Sequence, residues 1–92
     1  MLFKKILDCP EFLAGDHTLL REVLHPKNDK LDLPYSLAYA RIEPMQKSLP
    51  HKLTKSEEVY YFLNGEGIIS VNGTIQNVQK SYAQFYYVLN GF

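Results

Sequence analysis

Apolar runs and short polar turns alternate through the second half of this chain. Residues 58–63, EVYYFL, and residues 67–71, GIISV, are rich in the aromatic and β-branched residues that suit a pleated, half-buried surface. Asn64-Gly65 separates these two runs, and Asn72-Gly73 follows the second. Asn-Gly is the strongest short-range signal for a hairpin because it tolerates positive φ. The pattern therefore predicts a β-meander with a hairpin at each Asn-Gly pair.

Two more strands are predicted upstream of this region. Residues 35–42, YSLAYARI, alternate between large side chains on one face and mostly small ones on the other. Residues 47–52 form a shorter strand that Pro50 interrupts. Strands that recur at short intervals, with turn residues between them, are typical of a β-sandwich or β-barrel.

Residues 11–24 fit two different structures. Asp16 is a suitable N-cap for a helix whose apolar side chains would follow at helical spacing. The same residues alternate as a strand from Thr18 to Leu24. The periodicity leaves both interpretations open.

Composition and charge narrow the class of protein. Residues 1–92 are expected to form one domain, and a hydrophobic content of 46% is typical of a globular chain. Ten basic and ten acidic residues leave no net charge that would attract nucleic acid or an anionic membrane. No apolar run approaches the roughly 20 residues of a membrane span.

Two further features of the composition bear on location and assembly. Cys9 is the single cysteine, which excludes an intramolecular disulfide and favours a cytoplasmic protein. A chain of this length can build only a small hydrophobic core, and it contains many aromatic residues. Both features predict a homodimer, in which a second copy covers apolar surface that one chain leaves exposed.

The candidate site is a group of polar residues before the first predicted hairpin. His51 and the adjacent Glu57 and Glu58 are residue types that bind metals or transfer protons. Neighbouring residues on a strand point to opposite faces, so at most one of the two carboxylates faces an interior. Tyr60 and Phe62 share the face of Glu58, where they either line a pocket or belong to the core. An ion pair between Glu58 and a nearby lysine is the alternative to a functional role.

The spacing of four residues carries a resemblance to a known family. A His, one spacer, a second His, three or four spacers, a Glu, six spacers and a Gly make up the first conserved motif of the cupin superfamily of small β-barrel domains. His51, Glu58 and Gly65 match its first His, its Glu and its Gly, while Leu53 stands in place of the second His. The chain is similar to cupins over about residues 18–78.

The resemblance implies a fold. It indicates an all-β, jelly-roll type antiparallel barrel or sandwich formed by residues 1–92, with its motif-bearing core at about residues 35–78. It also implies a strand rather than a helix within residues 11–24. Cupins usually continue with further strands, so the resemblance implies a barrel that is shortened at its C-terminal end.

The resemblance also implies a pocket and a function. In cupins a divalent ion such as manganese, iron, nickel or zinc is held by His and Glu side chains. His51 and Glu58 are the ligands retained here, Leu53 cannot ligate, and the second motif has no counterpart, so the metal is expected to be weak or absent. The implied function is a small-molecule-binding domain whose pocket is lined by His51, Leu53, Glu58, Tyr60 and Phe62. The alternatives are a metal-dependent enzyme of the isomerase or dioxygenase type, and a non-catalytic assembly module.

Overall fold

The structure, a computed structural model of the chain, describes residues 1–50 and 57–86. Within these residues the chain forms seven β-strands and one short 3-10 helix, and every strand pairing is antiparallel. The predicted all-β class is confirmed. The described strands form three separate sheets that are not closed into a barrel. No helix in this part of the chain has the length and apolar character to cross a membrane.

The chain divides into two compact units, Met1–His51 and Lys52–Phe92. Each unit has its own sheet structure and is described separately below. That the whole chain behaves as one domain stays a prediction.

The N-terminal unit is built on one three-stranded sheet. A 3-10 helix at Ile6–Asp8 precedes β1 (Glu11–Leu13), β2 (Leu19–Leu24) and β3 (Leu37–Arg41), and the strand order is β1-β2-β3. The strand interpretation of residues 11–24 is therefore correct and the helix interpretation is wrong, although the segment contains two strands and a turn rather than one strand.

The turn between β1 and β2 contains Asp16, the residue that suited a helix N-cap. His17 adopts a left-handed backbone conformation with φ of 68°. Its N–H donates to the carbonyl of Ala14, and the N–H of Ala14 donates to the carbonyl of Thr18. The reversal places Phe12 opposite Leu20, and the apolar residues at helical spacing after Asp16 all lie on β2.

The strand predicted at residues 47–52 is not found in the part that the structure describes. Residues 47–50 have no regular secondary structure, and residues 51 and 52 lie outside the described residues. Pro50 has no N–H to give to a ladder. The N–H of Leu49 instead donates to the carbonyl of Asp16 at 2.7 Å, which fastens this segment to the β1–β2 turn.

The C-terminal unit contains four described strands. They are β4 (Glu58–Tyr61), β5 (Glu66–Val71), β6 (Thr74–Gln79) and β7 (Ala83–Tyr86). β5 and β6 form a hairpin whose two-residue turn is Asn72-Gly73, with φ of 49° and 82°. Positive φ at both positions is what a tight hairpin turn of this type requires, so this predicted hairpin is confirmed.

The hairpin predicted at Asn64-Gly65 is wrong. Gly65 does turn the chain with φ of 81°, but β4 pairs with β7 and not with β5. The N–H of Phe62 donates to the carbonyl of Tyr82 and the N–H of Ser81 donates to the carbonyl of Phe62, which continues this pairing beyond the strand ends. In sequence, the β5–β6 hairpin is thus nested between two strands that pair with each other, and the order is not a meander.

The core of the described residues is small. Cys9 and Val23 are the buried apolar residues, at 8% and 6% exposure, and both belong to the N-terminal unit. The guanidinium of Arg21 caps this core, since its Nη1 donates to the carbonyls of Leu7 at 3.1 Å and Cys9 at 2.6 Å.

Candidate functional site

One face of the β4–β7 sheet collects the predicted site residues that the structure describes. Glu58 and Tyr60 alternate along β4 and therefore share this face. The ring of Phe62 lies edge-on to the ring of Tyr60, with centroids 6.3 Å apart and an interplanar angle of 89°. Glu58 is half-buried, whereas Glu57 is exposed. That these residues line a ligand pocket stays a prediction.

Gln84 is a member of this face that the sequence did not reveal. It lies directly opposite Tyr60 in the β4–β7 register, so its side chain shares that face. Its Oε1 is buried and accepts no hydrogen bond in the described structure. The local sequence YAQFYY has no feature that marks Gln84, because its burial depends on pairing with a strand more than twenty residues away. We call Glu58, Tyr60, Phe62 and Gln84 the Glu58 face.

His51 and Leu53, the other two predicted pocket residues, lie outside the described residues. Within residues 1–50 and 57–86, no group of three or more His, Cys, Asp or Glu side chains is arranged to hold a metal ion. What the Glu58 face offers is the Glu58 carboxylate and the buried Gln84 carbonyl. Two oxygen acceptors suit a hydrogen-bond donor or a hard cation more than a soft metal.

The opposite face of the same two strands is apolar and open. Val59 pairs directly with Phe85, and Tyr61 follows Val59 by two positions. Their exposed fractions are 70% for Val59, 61% for Tyr61 and 56% for Phe85. We call these three residues the Val59 face. Exposed aromatic and aliphatic side chains grouped on one face of a sheet are typical of an interaction surface.

The N-terminal unit uses its charged residues differently. Arg41 donates from Nε and Nη2 to the two carboxylate oxygens of Glu11, at 2.8 and 2.7 Å, and from Nη1 to Glu43 at 2.5 Å. Nε of Arg21 approaches Glu11 at 3.5 Å, which is an ion pair without a good hydrogen bond. Hydrogen bonds from Arg41 hold the pKa of Glu11 below its ordinary value, and the charges of both arginines act in the same direction. This network joins β1 to β3. The carboxylates of Glu11 and Glu43 are already bound by arginine side chains of the same unit.

A second ion pair fastens the start of the chain. Lys4 donates to Asp29, and the N–H of His25 donates to the other oxygen of the same carboxylate at 2.9 Å. Both contacts lower the pKa of Asp29, with the Lys4 hydrogen bond as the larger cause. His25 and Asp29 lie in the polar loop after β2, so this carboxylate also has a structural role.

Comparison with known proteins provides one relative. The chain is 36% identical over 69 residues to the uncharacterized protein MJ1618 of Methanocaldococcus jannaschii. The matched region covers 75% of this chain and 54% of that protein, so the chain spans about half the length of the curated relative that it matches. No protein-family model matches the chain, and no solved structure matches it significantly.

Proposed function

We propose that this chain is a cupin-like domain that binds a small molecule at the Glu58 face. The observation that supports this most directly is the buried Oε1 of Gln84, which has no hydrogen-bond partner in the described structure. Buried polar atoms in proteins are nearly always satisfied, and leaving one unsatisfied costs about 1–3 kcal/mol. A ligand that donates a hydrogen bond to Gln84 removes that cost.

The neighbours of Gln84 suggest the class of ligand. The Glu58 carboxylate is a second acceptor on the same face, while Tyr60 and Phe62 add aromatic surface. A molecule with a hydroxyl or amine donor beside an aromatic or aliphatic body satisfies both requirements. Binding by these groups requires no catalytic step.

A nuclear magnetic resonance titration tests this proposal. The probes are benzyl alcohol and benzyl methyl ether, which have similar apolar bodies but differ in the hydroxyl donor. We expect the alcohol to shift the backbone N–H signals of Tyr60 and of residue 84, which pair across the two strands, and the ether to shift them much less. In Gln84→Leu this difference should disappear, while Gln76→Leu, an exposed glutamine on β6, should retain it. Equal responses to alcohol and ether in the wild type would contradict the proposal.

A divalent metal is a separate part of the proposal. We propose that manganese, iron, nickel or zinc, if it binds, does so weakly through His51 and Glu58. Of the two proposed ligands, Glu58 lies within the described residues. Leu53 stands where the cupin motif has its second histidine, so one imidazole ligand is missing. Titration calorimetry with nickel and manganese should show weak binding to wild type, none to His51→Ala and tighter binding to Leu53→His. Identical behaviour of the three proteins would exclude these residues as the site.

We also propose that the Val59 face forms a homodimer. Its three apolar side chains are more than half exposed and lie together on one sheet. Burying them against a second copy removes apolar surface from water without any change in the Glu58 face, which points the other way. A cytoplasmic location is proposed on the single cysteine, Cys9, alone.

A further inference from the structure

We infer that the β5–β6 hairpin carries a second binding site, a groove that takes an uncharged polyhydroxylated ligand of the saccharide class. The groove has a volume of about 440 Å³. That volume lies within the range of small-molecule sites in proteins, roughly 300–1,000 Å³. Its walls come from both strands of the hairpin and from Tyr82 just beyond β6.

The strand register brings three polar side chains to one face of the hairpin. Glu66 lies opposite Gln79, and Ile68 lies opposite Asn77. Directly paired residues and residues two positions apart share a face, so the carboxylate and both carboxamides project to the same side. In the described structure none of these three side chains makes a hydrogen bond or ion pair with the protein. Their polar atoms are therefore available to a ligand.

The chemistry of the walls selects for hydroxyl groups. Each carboxamide offers both donors and an acceptor, and the Glu66 carboxylate accepts from two hydroxyls at once. Tyr82, 43% exposed, and Ile68, 70% exposed, supply aromatic and aliphatic surface beside them. A sugar ring has the same two aspects, with hydroxyls around its edge and an apolar C–H face. No lining residue is cationic, which disfavours phosphate and carboxylate ligands.

Asn77 is a further indication that this face of the hairpin binds a ligand. Asparagine is depleted in strands because it gives little packing and competes for backbone hydrogen bonds. It nevertheless occupies the middle of β6, next to Gln76 and opposite Ile68. The fold would be better served by a β-branched residue at this position. The groove lies on the β5–β6 sheet, whereas the Glu58 face lies on the separate β4–β7 sheet.

The test is a nuclear magnetic resonance titration with the methyl glycosides of glucose, galactose and mannose. Concentrations up to about 50 mM detect a Kd as weak as roughly 10 mM. We expect at least one glycoside to shift the side-chain amides of Asn77 and Gln79 and the backbone N–H of Gly67. Absence of these shifts with all three glycosides would overturn the inference.

Two variants separate binding from folding. Asn77→Val should weaken the glycoside about tenfold while favouring the strand, since one lost hydrogen bond accounts for such a factor. Gln76→Val, on the opposite face of the same strand, is the matched control and should bind within about twofold of wild type. Equal weakening in Gln76→Val would overturn the inference.

A further control distinguishes this site from the Glu58 face. Gln84→Leu should leave the glycoside titration unchanged, because Gln84 is not part of the groove. If Gln84→Leu abolishes the glycoside shifts while Asn77→Val does not, the ligand occupies the Glu58 face and the second site is rejected.

Discussion

The two units of this chain differ in what their polar side chains do. In the N-terminal unit, Arg41 holds Glu11 and Glu43, and Lys4 holds Asp29, so charged groups are consumed by contacts within the fold. In the C-terminal unit, Gln84 keeps a buried acceptor without a hydrogen-bond partner in the described structure. Arg21 Nε in the N-terminal unit is also buried without a hydrogen bond, but its ion pair with Glu11 offsets the cost. The contrast supports the proposal that the C-terminal unit carries the binding site.

The apolar residues show the same division. Cys9 and Val23, the buried apolar residues of the described chain, both belong to the N-terminal unit. In the C-terminal unit, Val59, Tyr61 and Phe85 are exposed on one sheet face. A two-stranded sheet is marginally stable by itself, so this unit gains most from covering its apolar face.

The largest expected effect is on the core of the N-terminal unit. Val23→Asp places a carboxylate in a site that is 6% exposed, where desolvation opposes its charge. We expect a loss of several kcal/mol in the free energy of unfolding, enough to unfold a marginal domain. Circular dichroism during heating measures it. Ile75→Asp, at 68% exposure in the C-terminal unit, is the control and should retain β structure. Similar losses in both variants would remove the distinction between the units.

A smaller effect is expected on association. Light scattering should find a homodimer for the wild type, and Val59→Asp should raise the dimer dissociation constant by about tenfold or more, since a charge replaces a buried apolar contact. Ile75→Asp is the matched control, because Ile75 is 68% exposed on the β5–β6 hairpin, away from the Val59 face. A monomeric wild type at high concentration would exclude the proposed dimer.

The sequence predicted contacts between residues that are close together in the chain better than contacts between residues that are far apart. The hairpin at Asn72-Gly73 was predicted correctly because its turn and both strands are local. The hairpin at Asn64-Gly65 was wrong because the same local signal competes with the pairing of β4 and β7. Gly65 adopts the positive φ that Asn-Gly favours, so the chain does turn there. Pairing with residues distant in the sequence nevertheless decides which strands lie side by side.

The candidate site follows the same rule. Alternation places Glu58 and Tyr60 on one face, and the structure places them there through β4. Gln84 could not be found by alternation within its own strand, since its role depends on lying opposite Tyr60. The contact between Arg41 and Glu11 also spans thirty residues and had no local signal. Sequence patterns therefore identified faces, while cross-strand partners required the structure.

A modest gain in stability should come from Gln84→Leu. Replacing a buried acceptor that lacks a partner by an apolar group of similar size removes a desolvation cost, so we expect the free energy of unfolding to rise by about 1 kcal/mol. Chemical denaturation measures this change, and Gln76→Leu, at an exposed position, should alter it by less than about 0.5 kcal/mol. A large destabilisation in Gln84→Leu would mean that its amide serves the fold. Recognition would then no longer explain its burial.

The smallest expected effect concerns acid and the ion pairs of the N-terminal unit. Contacts with Arg41 lower the pKa of Glu11 in the folded state from its ordinary value of 4.5. A carboxylate with a lowered folded pKa stabilises the fold above its unfolded pKa, and that contribution is lost as the pH falls through the folded pKa. The melting temperature should therefore decline below about pH 4.5, and Asp29 should add to the decline at lower pH because its pKa is also lowered, from 3.8.

Glu11→Gln should melt lower than wild type at neutral pH and converge with it in acid, whereas Glu66→Gln should follow the wild-type curve. High salt should shrink the difference at neutral pH, because these pairs are partly exposed. Parallel curves for wild type and Glu11→Gln at every pH would mean that the Arg41 network contributes nothing to folding, and the contrast between a supporting and a recognising unit would then rest on burial alone.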